Sequence, residues 1–241
     1  MPVNYDLSGK TAVVTGGAKG IGKAIAEKLS TSGAKVHVWD LNLGELNSVT
    51  YTTVDVINAV DIKAALDDLV ARGERVDILV NDAGYLGPAT KFEVHDPSDW
   101  QRIIAVNLIG TMQVTQALLP HMRRWGGGRI VNMTSLAGKE GVAGITAYSG
   151  ASGGILSFTK ALSREVADVG IRINCVAPGP IDTDMIRDLG SDVVRSMIND
   201  SPMKRLGTVE EVAHMVTWLC SDASDFNTGA VFDMSGGRAR Y

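Results

Sequence analysis

Cysteine is scarce in this chain, which has only Cys175 and Cys220 among its 241 residues. The two lie far apart, each in an apolar run, and neither has a companion His or Cys at metal-ligand spacing. Free cysteine behaves as a small buried hydrophobe in such surroundings. The sequence therefore predicts two buried free thiols and no metal site.

An excess of one charge and an apolar leader are also missing. The formal net charge is −4 and the Lys and Arg residues do not cluster, so the pattern predicts no nucleic-acid partner. The opening decapeptide MPVNYDLSGK has no apolar signal core, and no uninterrupted apolar stretch reaches the length of a bilayer span. These absences predict a soluble, cytoplasmic protein without a membrane partner.

Short β-rich runs alternating with helical runs are what the chain does contain. With 45% apolar and 21% charged residues it has the ordinary composition of a domain with one sizeable core. Strands separated by helices imply parallel pairing with right-handed crossovers. We predict one domain over residues 1–241, an α/β Rossmann-type doubly wound, mostly parallel seven-stranded sheet with helices on both faces. The predicted strands are residues 11–15, 35–39, 51–54, 78–81, 129–133, 171–177 and 230–234.

Glycines recur in the turn after the first strand, where the sequence of residues 15–22 is TGGAKGIG. Gly16, Gly20 and Gly22 stand where a tight turn needs positive φ, where backbone approaches phosphate, and where a helix packs on a strand. The free amides and the dipole at the start of the next helix favour a pyrophosphate. A purely structural turn is the alternative, but strand, turn and helix are in register, which favours a dinucleotide site.

Asp40 ends the second strand, about twenty residues after the glycine turn. An acid there accepts hydrogen bonds from the adenosine ribose hydroxyls and repels a 2′-phosphate. Asp40 is otherwise an ordinary turn residue, and Lys19, just before Gly20, favours the 2′-phosphate instead. The balance predicts NAD as cofactor rather than NADP.

Motifs along nearly the whole chain resemble those of the short-chain dehydrogenase/reductase family. The spacing G-x-x-x-G-x-G is the form found in that family, and Tyr148 follows Ser135 by the family's usual thirteen residues. The resemblance implies catalytic roles for Asn107, Ser135, Tyr148 and the position of Ser152. It implies cofactor contacts from the glycine turn, the acid after strand two and the loops after strands three, four and six. The implied cofactor residues are Gly16, Lys19, Gly20, Ile21, Gly22, Asp40, Leu41, Asp55, Val56, Asn81, Ala83, Gly84, Tyr148, Ser152, Pro178, Gly179, Ile181 and Thr183.

The chemistry of such a site depends on the charge near the tyrosine. Hydride transfer to or from a carbon bearing oxygen requires a proton to move on that oxygen, and a Tyr hydroxyl with pKa near 10 is a poor base at neutral pH. A nearby cation lowers that pKa by about one to three units, and a Ser hydroxyl stabilises charge growing on the substrate oxygen. In the family the cation is a lysine four residues after the tyrosine, where this chain has Ser152. Lys160 lies two further turns along the helix, on the order of 12 Å by helical rise, and no spacing brings Lys139 beneath the ring.

Two further departures lie close to these positions. Asp82 replaces the second Asn of the family's Asn-Asn-Ala-Gly motif, which exchanges a donor amide for an acceptor-only carboxylate. Gly150, Gly153 and Gly154 fall in the helix that carries Tyr148. These glycines either weaken that helix by up to about 1 kcal/mol each or permit close packing against a neighbour.

Two functional hypotheses follow from the resemblance. The first is an NAD(P)-dependent dehydrogenase or carbonyl reductase acting on a small polyol, sugar acid or hydroxy acid, impaired by Ser152, with a 3-oxoacyl thioester as the alternative substrate. The second is a catalytically inactive dinucleotide-binding member of the family. Residues 182–205 are the expected lid, and they mix apolar and acidic side chains without a cationic cluster. The resemblance also implies a homotetramer.

Overall fold

Seven parallel strands form one sheet in the computed structural model, which describes residues 4–240. Their order is β3-β2-β1-β4-β5-β6-β7, so the direction of winding reverses between β1 and β4. The predicted doubly wound sheet is confirmed, and every pairing in it is parallel. The strands are β1 Thr11–Thr15, β2 Lys35–Asp40, β3 Thr50–Thr53, β4 Ile78–Asn81, β5 Gly128–Met133, β6 Ile171–Pro178 and β7 Val231–Met234.

Helices cover both faces of the sheet because neighbouring strand residues point to opposite sides. Val14 of β1 belongs to the apolar cluster that includes Ile25, whereas the adjacent Val13 belongs to the cluster that includes Leu118. Each fully buried side chain of this kind contributes about 1.5–3 kcal/mol. The helices are α1 Gly20–Thr31, α2 Ala59–Ala71, α3 Pro97–Ile104, α4 Thr111–Arg124, α5 Leu136–Glu140, α6 Thr146–Val166, α7 Asp184–Arg187, α8 Ser191–Asp200 and α9 Val209–Cys220.

A π-helical turn, Ala105–Gly110, interrupts the long helix that the sequence predicts over residues 97–124. Inside this turn the Asn107 side chain donates from Nδ2 to the carbonyl of Ile103, at 2.7 Å. An amide that bonds a carbonyl four residues earlier competes with the regular helical ladder. At the end of the turn a Cβ on Gly110 would lie 2.7 Å from Cγ2 of Val56, so the widened turn packs directly on the loop after β3.

The combined helix Pro97–Arg124 is, by length and composition alone, apolar enough to cross a membrane. Polar residues such as Asn107 and Gln113 interrupt its apolar runs, so it is not an uninterrupted apolar stretch. Val114, Leu118 and Met122 on this helix are buried in the cluster beneath the sheet.

Several short elements escaped the sequence prediction. Helices α5, α7 and α8 lie in segments without a clear apolar period. At the start of α9, Thr208 and Glu211 form a capping box. The prediction of two buried free cysteines is confirmed.

Candidate active site

The glycine turn joins β1 to α1 and brings backbone close to backbone. Gly16 and Gly20 have φ of +70° and +57°, a region that favours glycine. A Cβ on Gly22 would lie 2.3 Å from the carbonyl oxygen of Gly16 and 2.6 Å from Oδ2 of Asp82. Lys19, at the N-cap of α1, makes no side-chain hydrogen bond to the first amides of the helix. The turn therefore presents backbone amides and no side-chain bulk, which suits the close approach of a phosphate.

The loops after β4 and β6 flank this turn. Thr15 at the end of β1 accepts hydrogen bonds at Oγ1 from the amides of Asp82 and Ala83, at 3.1 and 3.2 Å. After β6, Cγ2 of Thr183 lies 3.9 Å from where a Cβ of Gly20 would stand. These contacts form a cleft at the carboxyl ends of the strands, where winding reverses and such sheets bind ligands.

Asp40 fixes the outer end of the turn from the end of β2. Its Oδ2 accepts a hydrogen bond from the amide of Ala18 and its Oδ1 one from the amide of Asn42, both at 3.0 Å. The half-buried carboxylate is thus held beside the turn, as a ribose-binding acid would be. Leu41 follows it with 58% of its surface exposed.

Ser135, Tyr148 and Ser152 come together at the end of β5. Ser135 caps α5, with its Oγ accepting from the amide of Ala137 at 3.1 Å, and Tyr148 lies in the first turn of α6. Ser152 is one helical turn further along and buried, and its carbonyl accepts a hydrogen bond of 2.9 Å from Thr134. The hydroxyls of Ser135 and Ser152 both lie close enough to Tyr148 to lower its pKa.

The electrostatics of this cluster disfavour a tyrosinate. Burial is the largest cause that raises the pKa of Tyr148, and the carboxylate of Asp82 raises it further. The neighbouring hydroxyls of Ser135 and Ser152 lower it but do not compensate, so the pKa of Tyr148 is above its ordinary value of about 10. The hydroxyl can donate a proton at neutral pH but is a weak base.

The two lysines considered in the sequence have other partners. Lys139 donates from Nζ to Oδ2 of Asp233 at 2.8 Å, and Lys160 donates to the carbonyl of Gly229 at 3.4 Å. Neither is among the groups that change the pKa of Tyr148.

Asp82 faces the glycine turn. Burial is the main cause that raises the pKa of its carboxyl group well above the ordinary value, and the charge of Asp40 adds to the rise. The nearby amide of Gly22 acts in the opposite direction. Asp82 therefore departs from the family motif at a position that lies against the predicted phosphate-binding helix, a contact that the sequence alone did not indicate.

Asn107 is held by the segment after β4. Its Nδ2 donates to the carbonyl of Tyr85 at 2.7 Å, and its Oδ1 accepts from the amide of Tyr85 at 3.2 Å. Among the hydrogen bonds of the described residues, none joins Asn107 to Ser135, Tyr148 or Ser152. Its contacts fix the chain at Gly84 and Tyr85, one wall of the cleft.

Three predicted cofactor residues have side chains packed in the interior. Asn81 is 2% exposed and donates to Thr115 at 3.1 Å and to Asn132 at 2.8 Å. Val56 is 7% exposed and Ile181 is 3% exposed. Any cofactor contact from these three residues would come from their backbone. The side chain of Asp55 accepts from the amide of Ile57 at 3.1 Å and so closes the turn after β3.

Two positioning residues were missed in the sequence. Thr15 connects the end of β1 to the loop after β4 through its hydroxyl. Its position directly before Gly16 was a sequence feature from which this role could have been predicted. Gly138 of α5 was not recognisable, because its role depends on a distant helix: a Cβ there would lie 2.8 Å from Cβ of Ser152. The absence of a side chain at Gly138 therefore lets α5 approach α6 at the position of Ser152.

Known proteins are similar to this chain over nearly its full length. A protein-family model described as Enoyl-(Acyl carrier protein) reductase matches residues 16–239. The chain is 36% identical to a 2-dehydro-3-deoxy-L-rhamnonate dehydrogenase (NAD(+)) of Sphingomonas sp., over 97% of both chains. It is 35% identical to a 3-oxoacyl-[acyl-carrier-protein] reductase of Chlamydia trachomatis, over 97% of this chain and 98% of that one.

The structural comparison agrees with these sequence matches. An aldohexose dehydrogenase of Thermoplasma acidophilum, in ligand-free form, superposes with a TM-score of 0.93 at 30% identity, over 99% of this chain and 97% of the other. The glycine turn, the Ser135–Tyr148 pair and the sheet order thus occur within full-length similarity to dehydrogenases and reductases. The chain belongs to the short-chain dehydrogenase/reductase family.

Proposed function

We propose that this protein binds NAD and transfers hydride between the nicotinamide and a small polar alcohol or its carbonyl form, with turnover limited by Ser152. The observation that carries the proposal is that Ser135 and Tyr148 lie together at the same sheet edge as the glycine turn. The family to which the chain belongs uses nicotinamide cofactors, so a dinucleotide in the cleft has both a binding turn and a proton donor beside it.

The residues present fit a dinucleotide. Any Cβ on Gly16 or Gly22 would collide with backbone within 3 Å, so the turn has the open surface that a pyrophosphate needs. Asp40 would accept hydrogen bonds from the adenosine ribose and repel a 2′-phosphate, which favours NAD over NADP. The bound nicotinamide would supply or accept the hydride.

The protein's own contribution is proton transfer at the substrate oxygen. Tyr148 would hold its proton at neutral pH because burial and Asp82 raise its pKa. A protonated tyrosine assists carbonyl reduction as a general acid, whereas alcohol oxidation needs the tyrosinate. We therefore infer that reduction is the faster direction at neutral pH. Ser135 would donate a second hydrogen bond to the developing oxyanion.

Charge pairing in the lid, residues 182–205, favours a small neutral or weakly charged substrate. Arg187 donates to both carboxylate oxygens of Asp182, at 2.8 and 2.9 Å, and Arg205 donates to Glu211 at 2.8 and 2.6 Å. Arg195 pairs with Asp192 at 3.3 Å. Because carboxylates neutralise these arginines, the lid offers little attraction for a phosphorylated carrier. Polyols, sugar acids and hydroxy acids are preferred to 3-oxoacyl thioesters.

A dinucleotide-binding protein without substantial turnover is the second candidate. It is favoured by the buried Ser152, one helical turn after Tyr148, at the position where relatives of the family carry a lysine. Both candidates predict NADH binding, and only the first predicts substrate turnover.

Assembly into a homotetramer is also proposed. Ile109 and Met112, on the helix that precedes β5, expose 41% and 38% of their surfaces. Such apolar side chains on a core helix favour burial against another subunit. Sedimentation equilibrium gives the mass directly, and a monomer at micromolar concentration would contradict this assembly.

The experiment that tests the proposed function has two parts. Fluorescence titration with NADH establishes cofactor binding, and a coupled screen then measures NADH formation from polyols, sugar acids and hydroxy acids, and NADH consumption with the matching carbonyl compounds. Binding with turnover supports the first candidate, and binding without turnover on any substrate supports the second. Failure to bind NADH contradicts both.

A further inference from the structure

Asp82 and a dinucleotide pyrophosphate require the same end of the same helix. The first amides of a helix have no partner inside it and carry partial positive charge. In α1 the carboxylate of Asp82 lies beside one of them, that of Gly22, because its Oδ2 is 2.6 Å from where a Cβ of Gly22 would stand. The carboxylate therefore lies against the segment of backbone that would receive the phosphates.

Within residues 4–240, no cation is among the groups that change the pKa of this carboxylate. The carboxylate of Asp40, from β2, raises that pKa, and Asp82 in turn raises the pKa of Tyr148, from α6. From α1, the neighbouring group is the backbone of Gly22. From β1, Thr15 contributes a neutral hydroxyl bonded to the amide of Asp82. Asp40 and Asp82 thus already place two carboxylates at a site that must admit a pyrophosphate.

We propose that Asp82 takes up one proton when a dinucleotide binds, so that cofactor affinity in this protein depends on pH through Asp82. The inference rests on the proposed function, because it requires the dinucleotide to bind at the start of α1. A third negative group brought next to two carboxylates disfavours the charged form of the one whose pKa is already raised, which is Asp82. Because linkage is reciprocal, the protonated form of Asp82 must bind the dinucleotide more tightly than the ionised form.

Burial supports this assignment of the proton to Asp82. Its carboxyl pKa is already raised in the free protein, chiefly because the group is removed from water. Asp40 is engaged instead by two amides, from Ala18 and Asn42.

Protonation of Asp82 would also lower the pKa of Tyr148, the proposed proton donor. The ionised carboxylate is one of the causes that raise the pKa of Tyr148. Cofactor binding with proton uptake would remove that charge and leave Tyr148 a stronger acid in the complex than in the free protein. Asp82 is in this sense a positioning residue for both the cofactor and the proton on Tyr148.

The test measures NADH affinity from about pH 6 to pH 9 for the natural protein, for Asp82→Asn and for Asp222→Asn. NADH is used instead of NADPH because the 2′-phosphate itself titrates near pH 6. Asp222→Asn removes one carboxylate that is 89% exposed and pairs with Arg129 far from the glycine turn. It controls for the change in net charge.

The natural protein and Asp222→Asn are expected to lose NADH affinity as pH rises, by up to about tenfold per pH unit where one proton is linked to binding. Asp82→Asn is expected to bind more tightly at high pH and to show a nearly flat profile. Parallel profiles for all three proteins would overturn the inference while leaving NADH binding, and the proposed function, intact.

Calorimetry covers the case in which Asp82→Asn fails to fold. NADH binding to the natural protein, measured in two buffers of different ionisation enthalpy, gives the number of protons taken up. Uptake that increases from zero towards one as pH rises through the range supports the inference, and zero uptake throughout overturns it. No NADH binding at any pH would overturn the proposed function together with this inference.

Discussion

Lys139 and Asp233 form an ion pair of 2.8 Å between Nζ and Oδ2, and the lysine side chain is only 10% exposed. The carboxylate also accepts hydrogen bonds from the amide and hydroxyl of Ser235, at 3.0 and 2.6 Å. The lysine closest in sequence to Ser135 is therefore part of a structural link between α5 and β7. It is not a cation for Tyr148.

The first prediction follows from that pair. Lys139→Gln should lower the free energy of unfolding by about 1–2 kcal/mol, because a charged hydrogen bond in a partly buried position is lost. The pH profile of activity should stay unchanged. Urea unfolding and the pH dependence of kcat measure the two effects, with Lys139→Arg as the charge-conserving control. A shift of the pH profile in Lys139→Gln alone would instead assign Lys139 to the proton-transfer group.

Asp40 is predicted to set the preference for NADH. The natural protein should bind NADH about 10–100-fold more tightly than NADPH, or roughly 1.4–2.7 kcal/mol, since the carboxylate meets the 2′-phosphate. Asp40→Asn keeps an acceptor for the amide of Ala18 and removes the negative charge. It should therefore reduce the difference between the NADH and NADPH affinities while the glycine turn keeps its conformation. Lys19→Gln should weaken NADPH binding only. Equal affinities in the natural protein, measured by fluorescence titration, would contradict the role given to Asp40.

Two glycines of α6 are predicted to respond oppositely to alanine. A Cβ on Gly154 would lie 2.8 Å from Cδ2 of Leu108, whereas a Cβ on Gly150 would meet no atom within 4 Å. Gly154→Ala should therefore destabilise by about 1–3 kcal/mol through overpacking. Gly150→Ala should stabilise by up to about 1 kcal/mol through helix propensity. Denaturant unfolding gives both values, and a loss in both variants would indicate that another subunit packs on Gly150.

Acid is predicted to destabilise the fold through His37 and Glu74, which lie 2.7 Å apart beneath β2. Burial is the main cause that lowers the pKa of His37, although its hydrogen bond with Glu74 acts the other way. Burial tends to raise the pKa of Glu74, but hydrogen bonds with Lys35 and His37 outweigh it, so that pKa is lowered.

For both His37 and Glu74, the contribution to the free energy of unfolding decreases as pH falls. The unfolded chain protonates its histidine first as pH falls below about 6.5, so stability declines from there to the lower pKa of folded His37. Stability from Glu74 is present above the unfolded Glu value of about 4.3 and is lost as pH falls through its lower folded pKa. Free energies of unfolding at pH 8, 7, 6 and 5 should fall less steeply in His37→Gln. Identical slopes would show that His37 does not titrate on unfolding.

The sheet and the order of the motifs could be predicted from sequence because they are local. Strand β4, residues 78–81, is a continuous apolar run, and its predicted bounds are those observed. The glycine turn was recognisable because its glycines follow a strand and open a helix. Such features depend on neighbours within a few residues along the chain.

The remaining features depend on contacts between distant residues. The π-helical turn forms where the Asn107 side chain competes for the carbonyl of Ile103 and also binds Tyr85, 22 residues away. Asp233 lies 94 residues from its partner Lys139. The contact of Asp82 with Gly22 requires β4 to pair beside β1, which sequence periodicity does not specify. Which charged groups lie next to one another at the site could therefore be determined only from the structure.

The last prediction concerns Ser152, the residue on which turnover depends. Ser152→Lys should place a cation next to Tyr148, lower the pKa of that hydroxyl by about one to three units and shift the pH optimum for alcohol oxidation downward. Efficient acid–base assistance is worth roughly 10²–10⁴ in rate, or about 3–5 kcal/mol of barrier, so turnover should rise by a factor in that range. Contacts from the lysine to the nicotinamide ribose should tighten NADH binding as well.

The matched control is Ser152→Met, which adds similar bulk without charge at a position that is only 4% exposed and lies against Gly138. Thermal midpoints of all three proteins establish that the variants are folded, and kcat is then compared on one substrate from about pH 6 to pH 10. The charge explains the effect if Ser152→Lys gains activity and Ser152→Met does not. If the natural protein already matches Ser152→Lys in rate and pH profile, Tyr148 does not depend on a cation at position 152, and Ser152 does not limit turnover.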